Sequence, residues 1–537
     1  MRKTALFLSL ILALPIAAQM DSFDAFKQRQ AKEFNQFKQN QEEEYNAFRK
    51  RVNEEYAEFM RRAWKEFPAH EAEVPKEEKS IEPVIYEKPA PAPQPQKPQK
   101  PEPVALQQKP QQTPQQTPTQ PQPIVKEDIA SLPVPQQSLE PAPVPIAVKP
   151  TVIVIPQPAP EPEPIAPVKP KEEDFKRVSI SYYGALVTLG FPKDDQLKLK
   201  GTDENSIADA WQTLSDSKYD ITVKTALDAR KGNTLCDWAY MNMLGKVCEK
   251  QYGKSNEATL VQAFLMVQSG YRIRLGVSEG KLQMLVASLY DIYGYRFYKL
   301  DGTKFYVVSG DKSSQMHICE SKYEKEHSLS MQIAKLPKLA GEPTPKRTLS
   351  SKKGVTASVS VNKNLIDFFD TYPQACYKGD ATTRWAAYAN TPLDKSVQNA
   401  LYPPLKKTIE GMNERQAVEI LLNWVQTAFE YRLDDNVWGH DRAFFAQETL
   451  YYPYCDCEDR AILFSRLVRD LVGLDVVLLY YPGHLAAAVG FSNDEKGDYL
   501  TYKNRKYIVC DPTYINAGVG RTMPNMNNQE AQVIALK

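Results

Sequence analysis

The chain has 537 residues, with 67 Lys and Arg against 66 Asp and Glu and a formal net charge of +1. That balance, with no basic patch interleaved with aromatics, excludes nucleic acid as a partner class. Beyond the first residues no stretch is apolar over the ~20 positions that a membrane-spanning helix needs, so no transmembrane segment is expected once a leader is removed.

Met1 to Gln19 opens with Arg2 and Lys3, continues with an apolar run from Ala5 to Ile16 and ends in small residues. This is the pattern of a cleavable secretory signal, and it predicts an exported protein, periplasmic or at the cell surface. An uncleaved anchor is the alternative reading.

Residues 20–70 predict one long helix. Phe23, Phe34, Tyr45, Tyr56 and Phe67 recur every eleven residues, and Phe26, Phe37, Phe48 and Phe59 repeat with the same period. Eleven residues in three turns keep an aromatic stripe on one face, which implies a coiled coil and a homo-oligomer through residues 21–67. A single solvated helix is the plainer alternative.

Residues 71–172 are a spacer. From Val74 to Pro170 the chain holds 27 of its 41 prolines among Lys, Glu, Gln and Ala. Such a composition cannot bury a core and predicts an extended, disordered linker.

The remaining residues read as α+β. In 173–344, helices are expected around Leu235 to Tyr252 and Glu257 to Gln268, then strands at Tyr271 to Val277, Leu282 to Tyr290, Tyr295 to Leu300 and Phe305 to Ser309. The segment 345–412 reads as a connection, basic and polar at its start. From 413 onward the order recurs: a helix at Glu414 to Phe429, a second at Glu458 to Val472, then strands at Val476 to Tyr481, Leu485 to Phe491, Tyr499 to Tyr502 and Tyr507 to Cys510. SerGluGlyLysLeu at 278–282 falls where TyrProGlyHisLeu falls at 481–485, and SerAsn at 255–256 falls where the Cys457 helix begins. The earlier segment therefore reads either as a degenerate copy, with Asn256 and Lys281 at the positions of the cysteine and histidine, or as an unrelated helix followed by a meander.

Seven cysteines are an odd number for an oxidising compartment, so at least one is expected free. Cys236 with Cys248, and Cys319 with Cys376, are candidate bridges. Cys457 opens an amphipathic helix, where unpaired backbone amides and the macrodipole favour a thiolate. Cys455 is the competing nucleophile, lying too early to feel the dipole fully. A metal set of Cys455, Cys457, His484 and Asp511 lacks the spacing of zinc sites, so no metal and no other cofactor is expected.

CysGluAspArgAlaIleLeuPhe from Cys457, GlyHisLeu at His484 and CysAspProThrTyr at Asp511 together resemble the bacterial transglutaminase-like superfamily, a branch of the papain-like cysteine enzymes. The resemblance covers roughly 413–524. It implies a cysteine-bearing helix packed on an antiparallel sheet, with Cys457 as nucleophile, His484 as general base and then acid, and Asp511 orienting the imidazole. A Cys–His–Asp site forms a thioester from a protein or peptide amide, and water or an amine completes the reaction. Gln447 and Tyr454 are candidates to help the Cys457 amide hold the oxyanion. His440 is a less well placed base. The readings in competition are a cysteine amidase or peptidase, a cross-linking transglutaminase, and a noncatalytic envelope scaffold.

Overall fold

Apolar runs bounded by turn residues in the second half of the sequence build most of two six-stranded sheets, each accompanied by helices. The structure, a computed structural model, describes residues 16–62, 64, 69–75, 151–156, 162–165, 175–194, 197–309, 315–323 and 325–537. The chain divides into two units, Met1–Glu78 with Ile155–Thr344 and Asn362–Ala387, and Lys79–Val154 with Pro345–Val361 and Tyr388–Lys537. Mixed helix and antiparallel sheet in both confirm the α+β class.

In the first unit, helix α1 (Ile16–Met60) carries the aromatic stripe. Phe34 is 63% exposed, whereas Tyr56, two repeats on, is 3% exposed and packs on the rings of Trp211 and Tyr323, with centroids at 4.8 and 4.4 Å. Polar contacts fix the same end. Arg49 pairs with Asp220 in a buried ion pair, and Asn53 accepts from Gln268 and from the Tyr323 hydroxyl, each at 2.9 Å. The period read as a self-association surface is thus spent, at its C-terminal end, on the unit's own core.

Of the spacer, residues 76–150 lie outside the described residues, and most of the disordered reading falls on them. Its described ends are strands: β1 (His70–Glu71) in the first unit and β2 (Thr151–Ile153) in the second. In the first unit a hairpin follows, β3 (Phe175–Tyr182) and β4 (Ala185–Pro192), turning through Tyr183 and Gly184, both at positive φ as a two-residue hairpin loop requires. Four helices come next: α2 (Glu204–Leu214), α3 (Asp220–Gly232), α4 (Asp237–Tyr252) and α5 (Asn256–Gln268), the last capped by Ser255. The sheet is built from β5 (Ile273–Ser278), β6 (Lys281–Ser288), β8 (Phe297–Leu300), β9 (Thr303–Val307) and β10 (Gln315–Cys319), in the order β1-β10-β5-β6-β9-β8. Leu285, Ala287, Phe305 and Ile318 form its core. Short β7 (Tyr290–Ile292) leaves this sheet to pair with β13 (Ala375–Tyr377), between helices α6 (Lys363–Asp370) and α7 (Thr383–Asn390).

The second unit begins, after β2, with the hairpin β11 (Arg347–Ser350) and β12 (Thr356–Val359), then α8 (Lys395–Ile409) and α9 (Glu414–Ala428). The segment expected as a plain connection is therefore built into both units. Its basic start pairs as a strand with β12, and Arg347 donates to the carbonyls of Thr449, Leu450 and Tyr452. After α9 come β14 (Glu430–Tyr431), parallel to β15 (Tyr454–Cys455), and between them α10 (Asp434–Val437) and α11 (Ala446–Tyr451). Helix α12 (Cys457–Leu471) packs on β16 (Asp475–Tyr481) and β17 (His484–Gly490). With β18 (Tyr499–Tyr502), β19 (Arg505–Cys510) and β20 (Gln532–Ala535), the order is β18-β19-β17-β16-β20-β2.

All seven cysteines are free, which corrects the expected bridges. Cys236 caps α4 while Cys248 lies twelve residues along it, roughly 18 Å by helical rise and far beyond the reach of a disulfide. No helix of the described residues is long and apolar enough to cross a membrane.

Docking of α1 gives a testable asymmetry. Tyr56→Ala deletes a ring buried between two others and is expected to cost about 3 kcal/mol in denaturant unfolding. Phe34→Ala, on the exposed part of the same stripe, should stay within about 0.5 kcal/mol of the parent chain.

Candidate active site

Helix α12 starts at Cys457 because Asp456 holds extended backbone before it and the Asp456 amide donates to Asp459 at 3.2 Å, closing the first turn. The side chain of Cys457 is 3% exposed. Facing its sulfur is the backbone amide of Leu485, the second residue of β17.

His484 is the first residue of β17 and pairs across the hairpin with Tyr481, whose ring stacks on the imidazole at 6.3 Å. On the other side, β17 pairs with β19 through Ala487 and Cys510. Continuing that register places Asp511 opposite Ala486 and diagonal to His484 on the same face, within reach of a long side chain. The contact is made: His484 Nε2 lies 2.8 Å from Asp511 Oδ2, both residues buried. The other carboxylate oxygen, Oδ1, accepts from the amides of Thr513 and Tyr514. Turn capping, the plain role for this aspartate, and the histidine contact are thus shared between its two oxygens.

Gln426, a residue that sequence reasoning passed over, holds this loop from α9. Its Nε2 lies within hydrogen-bonding distance of the carbonyls of Asp511, Tyr514 and Ala517, at 2.9 to 3.0 Å. The apolar positions of α9 were read as the informative ones, and a buried glutamine among them was the available signal.

Cys455 is turned to other partners. Arg460 Nε approaches its sulfur at 3.5 Å, and the same guanidinium donates to the Phe429 carbonyl at 2.8 Å. Gln447 is buried with its carbonyl oxygen accepting from the Asp394 amide at 2.9 Å, and the Tyr454 ring lies under the Arg432 guanidinium at 3.8 Å. Gln447 Nε2, the donor that an oxyanion would need, is buried without a hydrogen-bond partner. His440 is exposed, its ring against the Trp438 carbonyl. Tyr431, by contrast, lies close enough to Cys457 to interact with it electrostatically, and its hydroxyl is buried without a hydrogen-bond partner.

The electrostatics reverse one expectation. Burial, then the carboxylates of Glu458 and Asp456, push the Cys457 thiol well above its ordinary range, and the sulfur hydrogen donates to Glu458 Oε2 at 3.2 Å. The helix N-terminus does not win, because desolvation penalises the thiolate and two acidic neighbours add to it. The signal was in the motif, which sets an acidic residue on each side of Cys457. Burial also raises Asp456 and Asp459, as do the acidic groups around them, Asp434 and Glu458.

No family model matches the chain, and no curated protein matches it by sequence.

Ligand-type atoms gather in different sets from the one weighed in the sequence, one of them Asp456, Cys457 and Glu458. Among the described residues, Cys455, Cys457, His484 and Asp511 do not gather as ligands. Oxygens of Asp434, Asp456 and Asp459 do lie within 4.8 Å of one another, as do those of Asp434, Asp441 and Glu458. Oxygen-only groups of this kind are what could hold a hard divalent cation.

Removing a carboxylate beside a thiol removes repulsion toward the thiolate, so the thiolate forms at lower pH. Alkylation of Cys457, read by mass spectrometry across the alkaline range, is expected to have its midpoint above the ordinary value of about 8.5. In Glu458→Gln the midpoint moves down by about one pH unit or more. An unchanged midpoint would show that Glu458 does not act on the thiol and that burial and Asp456 set it.

Proposed function

We propose that this chain is an exported cysteine-dependent amide-bond enzyme of the transglutaminase-like type. The observation that carries the reading is the buried 2.8 Å contact between His484 Nε2 and Asp511 Oδ2, with His484 one residue before Leu485, whose amide faces the Cys457 sulfur. With Asp511 accepting from Nε2, the imidazole keeps its proton there and presents Nδ1 as the base.

In this reading the thiol turns from Glu458 to His484. Nδ1 takes the sulfur proton as sulfur attacks the amide carbonyl, and the carbonyl electrons move onto oxygen. The Cys457 amide and the unpartnered Tyr431 hydroxyl supply donors to that oxyanion. Collapse expels the amine, which receives the proton from His484, and leaves a thioester on Cys457. Water then releases an acid, or a second amine releases a new amide. Hydrolysis is the preferred outcome and transamidation the alternative.

One observation favours the noncatalytic scaffold instead. Cys457 is nearly closed from solvent and its acidic neighbours hold it protonated. The enzyme reading requires the site to open for substrate, and the scaffold reading does not.

Activity separates them. On casein-like and small amide substrates, Cys457→Ala is expected to abolish turnover, and His484→Ala and Asp511→Asn to lower kcat by about 10²–10⁴-fold, while all three keep the parent unfolding midpoint within a few degrees. Tyr431→Phe should lower kcat by roughly tenfold or more with KM little changed. Absence of any thiol-dependent turnover in the parent chain would favour the scaffold. Incorporation of a labelled amine reads transfer against hydrolysis.

Association through residues 21–67 belongs to the same proposal. Light scattering should give a full chain larger than a monomer and a chain lacking residues 21–48 at monomer mass.

A further inference from the structure

Strand order is the same in the two sheets. Reading outward from the spacer strand, the first unit runs β1-β10-β5-β6-β9-β8 and the second β2-β20-β16-β17-β19-β18. Each sheet follows a helix, α5 or α12, in the chain, and both edge strands come from the ends of the proline-rich segment. The edge pairings differ, since β1 is antiparallel to β10 and β2 parallel to β20.

Agreement extends to single residues. In the first hairpins Ser278 pairs with Lys281, and Tyr481 with His484, each across a two-residue turn whose second residue is a glycine at positive φ. Lys281 therefore corresponds to His484 and Leu285 to Ala488. The neighbouring ladders pair Leu285 with Val307 and Ala488 with Val509. The last hairpins turn after Leu300 and Tyr502 and close on Thr303 and Arg505, which again aligns Val307 with Val509. The ladders give one alignment, with a single extra residue in the first unit between β6 and β8 and none from β8 to the end of β9, and it sets Ser309 against Asp511. On the helices, the first residue of α5 is Asn256 and the first of α12 is Cys457.

The alignment also predicts a contact. The Leu485 amide faces the Cys457 sulfur, so the Leu282 amide should face Asn256. It does, donating to Asn256 Oδ1 at 2.9 Å, while Asn256 Nδ2 donates to the Gly280 carbonyl at 3.1 Å.

We infer that the first unit is a second copy of the same architecture, emptied of chemistry: Asn256, Lys281 and Ser309 stand at the three positions of the triad, and Asn256 works as a clamp between helix and hairpin. Lys281 and Ser309 are both exposed, and Ser309 is tied to Gln283. Asn256 has no nucleophilic atom, and each end of its amide is tied to the hairpin. The description as an emptied site rests on the reading of Cys457 above, whereas the duplication and the clamp rest on the ladders and contacts.

Two measurements on the full chain test this. Hydrogen exchange in Asn256→Ala is expected to lower protection of the Leu282 amide about tenfold or more, because its acceptor is gone. Asn256→Asp keeps an acceptor oxygen and should hold protection within about threefold. Failure of the alanine variant to fold beside a folded aspartate variant carries the same meaning as lost protection. Equal protection in Asn256→Ala and the parent overturns the clamp. The second measurement traps acyl-enzyme by acid quench: one adduct per chain in the parent, none in Cys457→Ala, and an unchanged yield in Asn256→Asp. An adduct persisting in Cys457→Ala, or a folded Asn256→Asp that has lost its adduct, overturns the emptied copy. If the parent forms no adduct at all, the enzyme reading fails while hydrogen exchange still decides the clamp.

Discussion

The contact between the first turn of α12 and the first residues of β17 is the constraint on which the second unit depends. A helix N-terminus brings unpaired amides, and the start of a strand brings another, so a polar side chain placed between them is solvated by backbone alone. Cys457 and Leu485 occupy that meeting point. Register then does the rest. The Pro482–Gly483 turn fixes which residue of β17 comes first, and a slip by one would send His484 to the opposite face, away from Asp511. Gly483, at φ +80°, supplies a conformation that other residues adopt only with strain.

Around this junction the unit buries an unusual number of carboxylates. Asp459 is offset by two backbone amides, from Phe444 at 2.8 Å and Asp456 at 3.2 Å. Asp456 keeps one oxygen buried without a partner. Unpaired buried charge is costly, and protonation is the ordinary escape, which is the direction in which burial drives both groups. Burial first, and then the charge of Glu458, hold the neighbouring thiol in its unreactive form. Stability of the helix start and readiness of the sulfur are therefore set by one group of side chains, and they pull against each other.

Local pattern made much of this legible. Helices α4, α5, α9 and α12 and the hairpins β5–β6, β16–β17 and β18–β19 announce themselves by periodicity and turn residues, and His484 and Asp511 fall at strand ends that the sequence marks. What escaped has a common cause. Helix α8 contains Pro403 and Pro404, residues that ordinarily interrupt a helix, and β10, β20 and the spacer strands are short pieces whose pairing partners lie far off in sequence. Gln426 and Tyr431 are single polar residues whose roles exist only after folding brings α9 to Asp511 and β14 to Cys455. The thiol's protonation was misjudged because a helix dipole is a local rule, while desolvation depends on everything packed around the group.

Comparison of Asn256 with Cys457 isolates what the scaffold needs from what chemistry needs. Both sit first in a helix, and both meet the amide of the leucine that follows the hairpin turn. An amide side chain satisfies that amide and returns a donor to the Gly280 carbonyl, so the junction is saturated and held. A thiol is a poor acceptor and leaves the junction underused, which is a loss for stability. The fold tolerates that loss at Cys457, where the adjoining strand opens on an imidazole held by a buried carboxylate, and the corresponding positions of the first unit are an exposed lysine and an exposed serine. The side chain at the helix start thus differs between the units: an amide that saturates the junction stands in the first, and a thiol, the weaker acceptor, in the second.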